Sequence, residues 1–390
     1  MDIIDIKYFF WSKTMKKLVL FAALISLAAT SFAYNPPAGG QLLNNLTSPF
    51  QLSSASSAAG GGIFSAQPGS ICFNPALTAF EDRPQIDLGV TALVGSGAAF
   101  ETGIVIPMNM FVITGLVQGV SSNVKEMDLG NSISVRGGLS KEVTENISVG
   151  ANVYGGYLFS DGGDWSCGAE IGALWRMEKL GFMKDFRIGA SLLGLGKQIS
   201  GTKHGLEQND REKYWDDLGF IKYIVWPYNA IYDMENLIDH FDGDNNSDEF
   251  PGFLTIRTGG AFTVFETDSM KGGVSADFTL VHAYLPIFDF GYQMTIKDSF
   301  YLRASYTLDI NELSKESITH TSPAIGFGYK LTLDTGKSGF MKDKGWDKSD
   351  LTVSTAYQNL YEDIHAISAG ANFKFGQPDE EAPSIQIWGN

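Results

Sequence analysis

Apolar and polar residues alternate with a period of two along most of the chain after residue 84. From Phe288 to Lys297 and from Phe300 to Asp309, apolar or aromatic residues occupy every second position. Successive side chains of a β-strand point to opposite faces. The pattern therefore predicts strands that have one apolar face and one mostly polar face.

Fourteen segments of this kind have the length that a transmembrane β-strand needs, which is about 9–11 residues. We place them near residues 85–95, 98–107, 109–120, 131–140, 146–158, 165–176, 185–195, 253–265, 272–281, 287–297, 299–309, 321–333, 349–358 and 364–375. An even number of alternating strands is typical of single-chain bacterial barrels, with the apolar face toward lipid. The predicted fold class is all-β, a transmembrane antiparallel β-barrel of about fourteen strands over residues 85–375.

The connections between these strands fit a barrel whose two ends differ. Periplasmic turns of such barrels are short and outer loops are long. The longest connection, residues 197–252, follows the seventh strand and is predicted to be extracellular. A soluble β-sandwich is the alternative, but its strands are shorter and its exposed faces carry more charge.

The N-terminus has the features of a secretory signal peptide. Lys16 and Lys17 precede a short apolar run, and Ser31-Phe32-Ala33 supplies small residues for a cut after Ala33. We predict that residues 1–33 are removed on export, with Met15 as an alternative start. The acidic segment 376–390 is predicted to form a periplasmic tail.

The composition excludes several classes of function. The formal net charge is −16, whereas nucleic-acid binding needs a basic face. Cys72 and Cys167 are too few for a disulfide scaffold, and strand parity places Cys167 on the lipid side, so we predict that both are free. His204 and His240 lack a nucleophile motif nearby, so we predict no enzyme, no catalytic residue and no cofactor.

Residues 34–84 are rich in Ser, Ala, Gly and Pro and end near the motif Asn74-Pro75-Ala76. This motif, just before the first strand, resembles the N-terminal hatch of the FadL-type long-chain fatty-acid transporters. The resemblance implies that residues 34–84 form a hatch, or plug, in the lumen of a fourteen-stranded barrel. It also implies uptake of hydrophobic molecules, such as long-chain fatty acids, through capture in outer loops and hatch-gated passage.

Other stretches resemble one branch of this superfamily, the PorV-like group and the UPF0164 family of spirochaetes. They include residues 168–175, 186–196 and 290–306. The closing strand ends in Phe373-Lys374-Phe375, which resembles the signal read by the barrel-assembly machinery. The branch implies an alternative function, a non-transport partner or anchor for secreted or surface proteins, and a surface adhesin is a further alternative.

The long outer loop contains a dense group of aromatic residues that suits a ligand groove, because ligand sites are mostly apolar with a few polar groups. The candidate groove residues are Trp215, Phe220, Tyr223, Trp226 and Tyr228, and Lys213 or Lys222 would meet a carboxylate. Packing of these rings on the barrel rim is the alternative. The acidic run 242–249 lacks the glycine and glutamate of an EF-hand, so we favour a solvated loop over a calcium site and predict no metal.

Four arginines fall on the predicted lumen face, namely Arg136, Arg187, Arg257 and Arg303. They would either guide an anionic head group or pair with lumen carboxylates such as Glu170, Asp289 and Asp309. We favour the second interpretation. The expected partners of the chain are a fatty-acid-like molecule, membrane lipid and the assembly machinery, with no nucleic acid, and the expected state is a monomer.

Overall fold

We describe the protein from a computed structural model. It describes residues 47–53, 57–60, 66–95, 97–122, 131–159, 164–197, 255–281, 285–309, 321–334, 346, 348–361 and 364–376. The strands in these residues are β1 (Gln85–Leu93), β2 (Gly97–Pro107), β3 (Val112–Ser122), β4 (Asn131–Thr144), β5 (Ile147–Leu158), β6 (Asp164–Leu180), β7 (Met183–Lys197), β8 (Thr255–Thr267), β9 (Met270–Val281), β10 (Leu285–Ile296), β11 (Phe300–Asp309), β12 (Thr321–Asp334), β13 (Lys348–Tyr361) and β14 (Ile364–Lys374).

These strands form one closed antiparallel barrel. Each strand pairs with its neighbours in the chain, and β1 pairs with β14 from Gln85↔Lys374 to Leu93↔Ala366 to close the circle. The predicted fourteen-stranded barrel is confirmed. Strand ends shift by a few residues, as at β3, which begins at Val112 because Met108 donates its N–H to the Phe111 carbonyl at 2.9 Å and makes a turn there.

The apolar and polar residues that alternate in the sequence lie on the outer and inner faces of the barrel wall. In β1, Leu88 and Val90 are 55% and 60% exposed, whereas their neighbours Asp87 and Thr91 are 4% and 1% exposed. The same two-residue period makes the outer face apolar and buries polar side chains inside. Buried polar groups need partners, and residues N-terminal to the barrel provide many of them.

The two rims of the barrel differ in their connections. On the short-turn rim, residues 145–146, 181–182 and 268–269 make two-residue links, and Gly181 takes a φ of 62°, which favours glycine. The long-loop rim carries the connection between β7 and β8. Residues 335–347, between β12 and β13, are a long connection on the short-turn rim, contrary to the expectation of short turns there.

The described residues before the barrel contain three short helices. They are α1 (Pro49–Ser53) and two 3-10 helices, Pro68–Cys72 and Pro75–Phe80. Proline at their first positions suits a helix start, because its missing N–H would have no helical partner there. Among the described residues, no helix is long and apolar enough to cross a membrane.

Candidate functional site

The described residues of 47–80 form what we call the inner segment, and they contact the wall from several sides. The Ser191 hydroxyl of β7 donates to the Phe73 carbonyl at 2.7 Å. Across the barrel, the Ser305 hydroxyl of β11 donates to the Leu52 carbonyl at 3.4 Å. Because these strands lie on different sides of a closed sheet, the inner segment lies within the barrel, where the resemblance led us to expect a hatch.

The Asn-Pro-Ala motif is a junction within the inner segment. Asn74 is fully buried and caps the second 3-10 helix by accepting from the Ala76 N–H at 2.9 Å. Its amide donates to the Ala58 carbonyl at 2.8 Å and to the Ala173 carbonyl of β6 at 2.9 Å. Pro75 begins the helix. Asn74 therefore connects residues 57–60, the 3-10 helices and the wall.

Glycines in the wall allow the inner segment to approach the strand backbones. A Cβ at Gly150 would lie 2.3 Å from the Pro75 carbonyl oxygen, and one at Gly172 would lie 2.0 Å from Asn74 Oδ1. Neither distance is compatible with a side chain, so both positions require glycine for this packing. Other wall glycines face the inner segment in the same way, namely Gly89, Gly103, Gly189, Gly326 and Gly370.

Arg136 of β4 lies inside the barrel, as its parity predicts. Its Nη1 donates to Gln118 Oε1 at 2.8 Å, and its Nε lies 3.5 Å from Glu170 Oε2. Its guanidinium also lies 5.7 Å from the centroid of the Tyr154 ring. These neighbours are all wall residues, so Arg136 links β3, β5 and β6, which supports the structural role over head-group recognition.

Arg257 and Arg303 also point inward and contact aromatic rings of the inner segment. The guanidinium of Arg257 lies 5.3 Å from the centroid of the Phe73 ring, and its Nε donates to Thr279 Oγ1 at 2.9 Å. Arg303 lies 5.4 Å from the Phe50 centroid. A cation near a ring face is attracted by the ring quadrupole, so both arginines help hold the inner segment in place.

Arg187 differs from the other three arginines because it is only half-buried and lies toward the short-turn rim. It interacts electrostatically with Asp185 and with Glu81, just after the inner segment. Its cross-strand partner on β6 is Arg176. The four predicted arginines are therefore distributed around the barrel and do not form one shared anion site.

Several wall carboxylates were missed in the sequence analysis, although they occupy inward positions of the alternating pattern. Glu101 accepts a hydrogen bond from Thr47 Oγ1 at 2.7 Å, and Asp87 of β1 interacts electrostatically with Glu101. Asp277 accepts from the Ala58 N–H. The predicted carboxylates Glu170 and Asp289 are also buried and inward, whereas the side chain of Asp309 lies outside the described part of the chain.

Ion pairs attach residues 81–83, just after the inner segment, to the short-turn rim. Arg83 Nη1 lies 2.8 Å from Asp350 Oδ2 of β13, and Lys374 Nζ of β14 lies 2.8 Å from Glu81 Oε2. Arg83 also donates to the Gly376 carbonyl at 2.8 Å. The chain therefore enters the barrel wall beside β14, the last strand of the barrel.

The two aromatic residues of the predicted assembly signal are neighbours at this rim. The rings of Phe373 and Phe375 are 4.6 Å apart, and Phe375 also packs on Trp346 at 4.9 Å. The Phe375 N–H donates to the Pro84 carbonyl at 2.9 Å. Their role in barrel assembly stays a prediction.

The two cysteines are free, as predicted. Cys167 is exposed on the outer face of β6, and Cys72 is buried in the inner segment with its thiol 3.5 Å from Gln118 Oε1. Burial raises the pKa of the Cys72 thiol to about 12 because the thiolate would lose its hydration. Cys72 is therefore an uncharged thiol at neutral pH.

The remaining predicted sites lie outside the described residues and stay predictions. They are residues 1–33, 242–249 and 377–390, and the groove residues Lys213, Trp215, Phe220, Lys222, Tyr223, Trp226 and Tyr228. In the part of the chain that is described, no group of three or more His, Cys, Asp or Glu side chains is placed to hold a metal ion.

No known family profile and no curated protein matches the sequence. Solved structures do resemble the fold. The toluene transporter TodX of Pseudomonas putida has a TM-score of 0.46 at 12% identity, covering 89% of this chain and all of that one. A Pseudomonas aeruginosa FadL homologue has a TM-score of 0.41 at 15% identity, covering 88% of this chain and 98% of that one. The Ralstonia pickettii toluene transporter TbuX has a TM-score of 0.46 at 12% identity, with coverages of 86% and 99%.

Proposed function

We propose that this chain is an outer-membrane channel for the uptake of hydrophobic molecules and that the inner segment is its hatch. The observation that carries the proposal is a closed barrel with an apolar exterior and an interior occupied by the inner segment. The hatch extends over residues 34–84, the barrel over 85–375 and the outer loop over 197–252. The mature protein begins after Ala33 and is a monomer.

The exterior supports placement in a membrane. Large apolar side chains are exposed on most strands, and exposing apolar surface to water costs about 25 cal/mol per Å². Aromatic side chains lie near both rims, with Trp165 toward the long-loop rim and Trp175 toward the short-turn rim. Such aromatic girdles flank the lipid-facing band of outer-membrane barrels. The two chain ends of the barrel would then lie in the periplasm.

The interior supports hydrophobic cargo rather than an open water-filled pore. The inner segment touches strands on several sides, so a solute needs it to shift. Residues 34–80 of the proposed hatch contain no Asp, Glu, Lys, Arg or His, so this part of the hatch brings only uncharged groups to a passing molecule. The cargo is fatty-acid-like, captured first by the loop residues Trp215 and Trp226 and their aromatic neighbours.

The test uses the mature chain, Tyr34–Asn390, folded into liposomes that contain a fatty-acid-binding fluorescent reporter. We expect saturable uptake of a long-chain fatty acid, and weaker uptake by the variant Trp215→Ala/Trp226→Ala. The matched control is Trp165→Ala/Trp175→Ala, which removes two lipid-facing tryptophans of β6 and leaves uptake unchanged.

Two results would overturn the proposal. The first is no uptake by a barrel whose heat-modifiable migration shows that it is folded. That result would favour the alternative role as a partner of secreted proteins. The second is an equal loss in both tryptophan variants, which would exclude the outer loop as the entrance.

A further inference from the structure

The buried charges of the barrel do not balance. Away from the rims, the described wall buries Arg136, Arg257 and Arg303 against five carboxyl groups, those of Asp87, Glu101, Glu170, Asp277 and Asp289. The inner segment adds no charge of either sign. An isolated ionised carboxylate is very costly to bury, and in practice such a group is neutralised by a proton. The surplus of two carboxyl groups therefore needs to be explained.

One surplus carboxyl group lies in the pair Asp277 and Asp289. These residues are direct cross-strand partners on β9 and β10, and both interact electrostatically with Arg257. Asp277 accepts from the Ala58 N–H and from the Ser57 hydroxyl at 3.3 Å. Asp289 accepts from Thr307 Oγ1. Like charges directly opposite each other destabilise a sheet, and a single arginine neutralises only one of them.

The other surplus group lies in the pair Asp87 and Glu101 of β1 and β2. They are diagonal neighbours on the inner face, since Asp87 pairs with Gly103 and Glu101 with Gly89, and their carboxyl groups interact electrostatically. Glu101 Oε2 accepts from Thr47 Oγ1 at 2.7 Å and from Gln118 Nε2 at 3.5 Å, while Oε1 has no hydrogen-bond partner among the described residues. Asp87 also faces the Asn372 amide and Arg303.

We propose that each of these two carboxyl pairs holds one proton while the hatch is closed, and that losing these protons releases residues 47–53 and 57–60 from the wall. The inference rests on the proposed function, in which the inner segment has to move for cargo to pass. We call the two pairs the proton latch. It acts on this part of the inner segment because Thr47, Ser57 and Ala58 are the groups bonded to the paired carboxyls.

The direction of the response follows from hydration. When both members of a pair are ionised, the extra negative charge is stabilised only by water, and water reaches it only when residues 47–60 move away. The closed state therefore binds more protons than the open state, so a rise in pH favours opening. Each proton released on opening changes the opening equilibrium by up to about tenfold per pH unit.

Residues 66–80 provide a comparison within the same molecule. Arginines contact two of their rings, Arg257 that of Phe73 and Arg176 that of Phe80. Uncharged wall groups hydrogen-bond to them, as from Ser148 Oγ to the Ala76 carbonyl at 3.0 Å and from Asn152 Nδ2 to the Ile71 carbonyl at 3.2 Å. These bonds do not depend on a carboxyl proton. We expect residues 66–80 to stay in place at a pH that releases 47–60.

Hydrogen–deuterium exchange of the mature chain in lipid nanodiscs tests the latch. Exchange at about pH 6 and about pH 9 is corrected for the intrinsic pH dependence of amide exchange, and opening equilibria are compared. We expect the opening of 47–60 to rise by at least about tenfold across this range and that of 66–80 to change less than about twofold. An equal response in both parts would overturn the proposal.

Isosteric variants test whether the pH response of exchange comes from the two carboxyl pairs. Asp289→Asn leaves Asp277 as one carboxylate beside Arg257, so residues 57–60 lose their pH response. Glu101→Gln removes the response of residues 47–53. The matched control is Glu266→Gln, which alters a rim carboxylate 3.3 Å from Lys184 Nζ and leaves both responses unchanged.

A pH response of residues 57–60 that persists in Asp289→Asn, or one of residues 47–53 that persists in Glu101→Gln, would overturn the latch, as would the loss of either response in Glu266→Gln. If a pair variant does not fold, the comparison of 47–60 with 66–80 in the unaltered chain still decides the question. The exchange experiment needs no cargo. A failed latch therefore leaves the uptake result standing, and failed uptake leaves the latch result standing.

Discussion

Two stretches lie inside the same barrel, the first made of residues 47–53 and 57–60 and the second of residues 66–80, but the wall holds them by different chemistry. The first stretch bonds to carboxyl groups, Thr47 to Glu101 and Ala58 to Asp277. The second bonds to hydroxyls, amides and backbone groups, as where Ser191 donates to a backbone carbonyl. The strength of carboxyl contacts depends on protonation and hydration, whereas neutral contacts between buried groups do not. The same wall can thus hold the second stretch at any pH and the first stretch only while the carboxyl pairs keep their protons.

Two of the buried arginines follow the same division. Arg136, next to residues 66–80, is paired with Glu170, and removing one partner of a buried ion pair costs about 3–5 kcal/mol. Arg303, next to α1, hydrogen-bonds Gln293 Oε1 at 3.2 Å, and the loss of a charged hydrogen bond costs about 1.5–3 kcal/mol. We therefore expect Arg136→Met to lower the free energy of unfolding more than Arg303→Met.

Guanidinium titrations of the folded barrel in detergent micelles would measure this difference. Arg136→Met/Glu170→Met should recover much of the lost stability, because it leaves no buried carboxylate without its partner. Equal losses in the two single variants would contradict the division of the inner segment into two differently held parts.

The sequence was sufficient to predict the barrel because the wall repeats a simple rule. Alternation in segments such as 288–297 and 300–309 specified both the strands and their faces. It also predicted that Arg136 and Glu170 point inward and that Cys167 points outward. Turn positions were less accurate, as at Val112, because a turn depends on local hydrogen bonds that the alternation does not encode.

The contacts within the barrel could not be predicted in the same way. Glu101 is a diagonal neighbour of Asp87 because of the register between β1 and β2, and alternation gives the face of a residue but not that register. The role of Gly150 depends on the Pro75 carbonyl, which lies far away in the sequence. The Asn-Pro-Ala motif indicated the hatch through resemblance, but not the double contact of Asn74.

Asn74 joins the two stretches, so its substitution tests whether they separate. Asn74→Asp keeps the shape but removes the donors to the Ala58 and Ala173 carbonyls. Leaving buried acceptors unpaired costs about 1–3 kcal/mol each. Hydrogen exchange should show a larger increase for residues 57–60 than for 66–80. Asn146→Asp, in an exposed turn, is the matched control and should change neither stretch.

Gly150→Ala tests residues 66–80, the stretch that we expect to stay in place at any pH. Its Cβ would meet the backbone of Pro75 and Ala76, which cannot rotate away, and overpacking of this kind costs about 1–3 kcal/mol. In a Cys167→Ser background, we expect faster labelling of Cys72 by a maleimide. Gly137→Ala is the control, because no atom lies within 4 Å of a Cβ at that position. Unchanged labelling in Gly150→Ala would show that the segment moves easily there.

The smallest expected effect compares one threonine from each stretch. Thr47 Oγ1 bonds Glu101, and Thr78 Oγ1 lies 3.0 Å from Ser140 Oγ, so valine in either position removes one hydroxyl and adds one methyl group. Each lost hydrogen bond costs about 0.5–1.5 kcal/mol. For Thr47→Val, we expect the increase in exchange to grow with pH, because the loss falls on a titrating carboxyl pair. For Thr78→Val, it should be the same at every pH. A pH-dependent effect at Thr78 would mean that protonation governs the whole inner segment and not residues 47–60 alone.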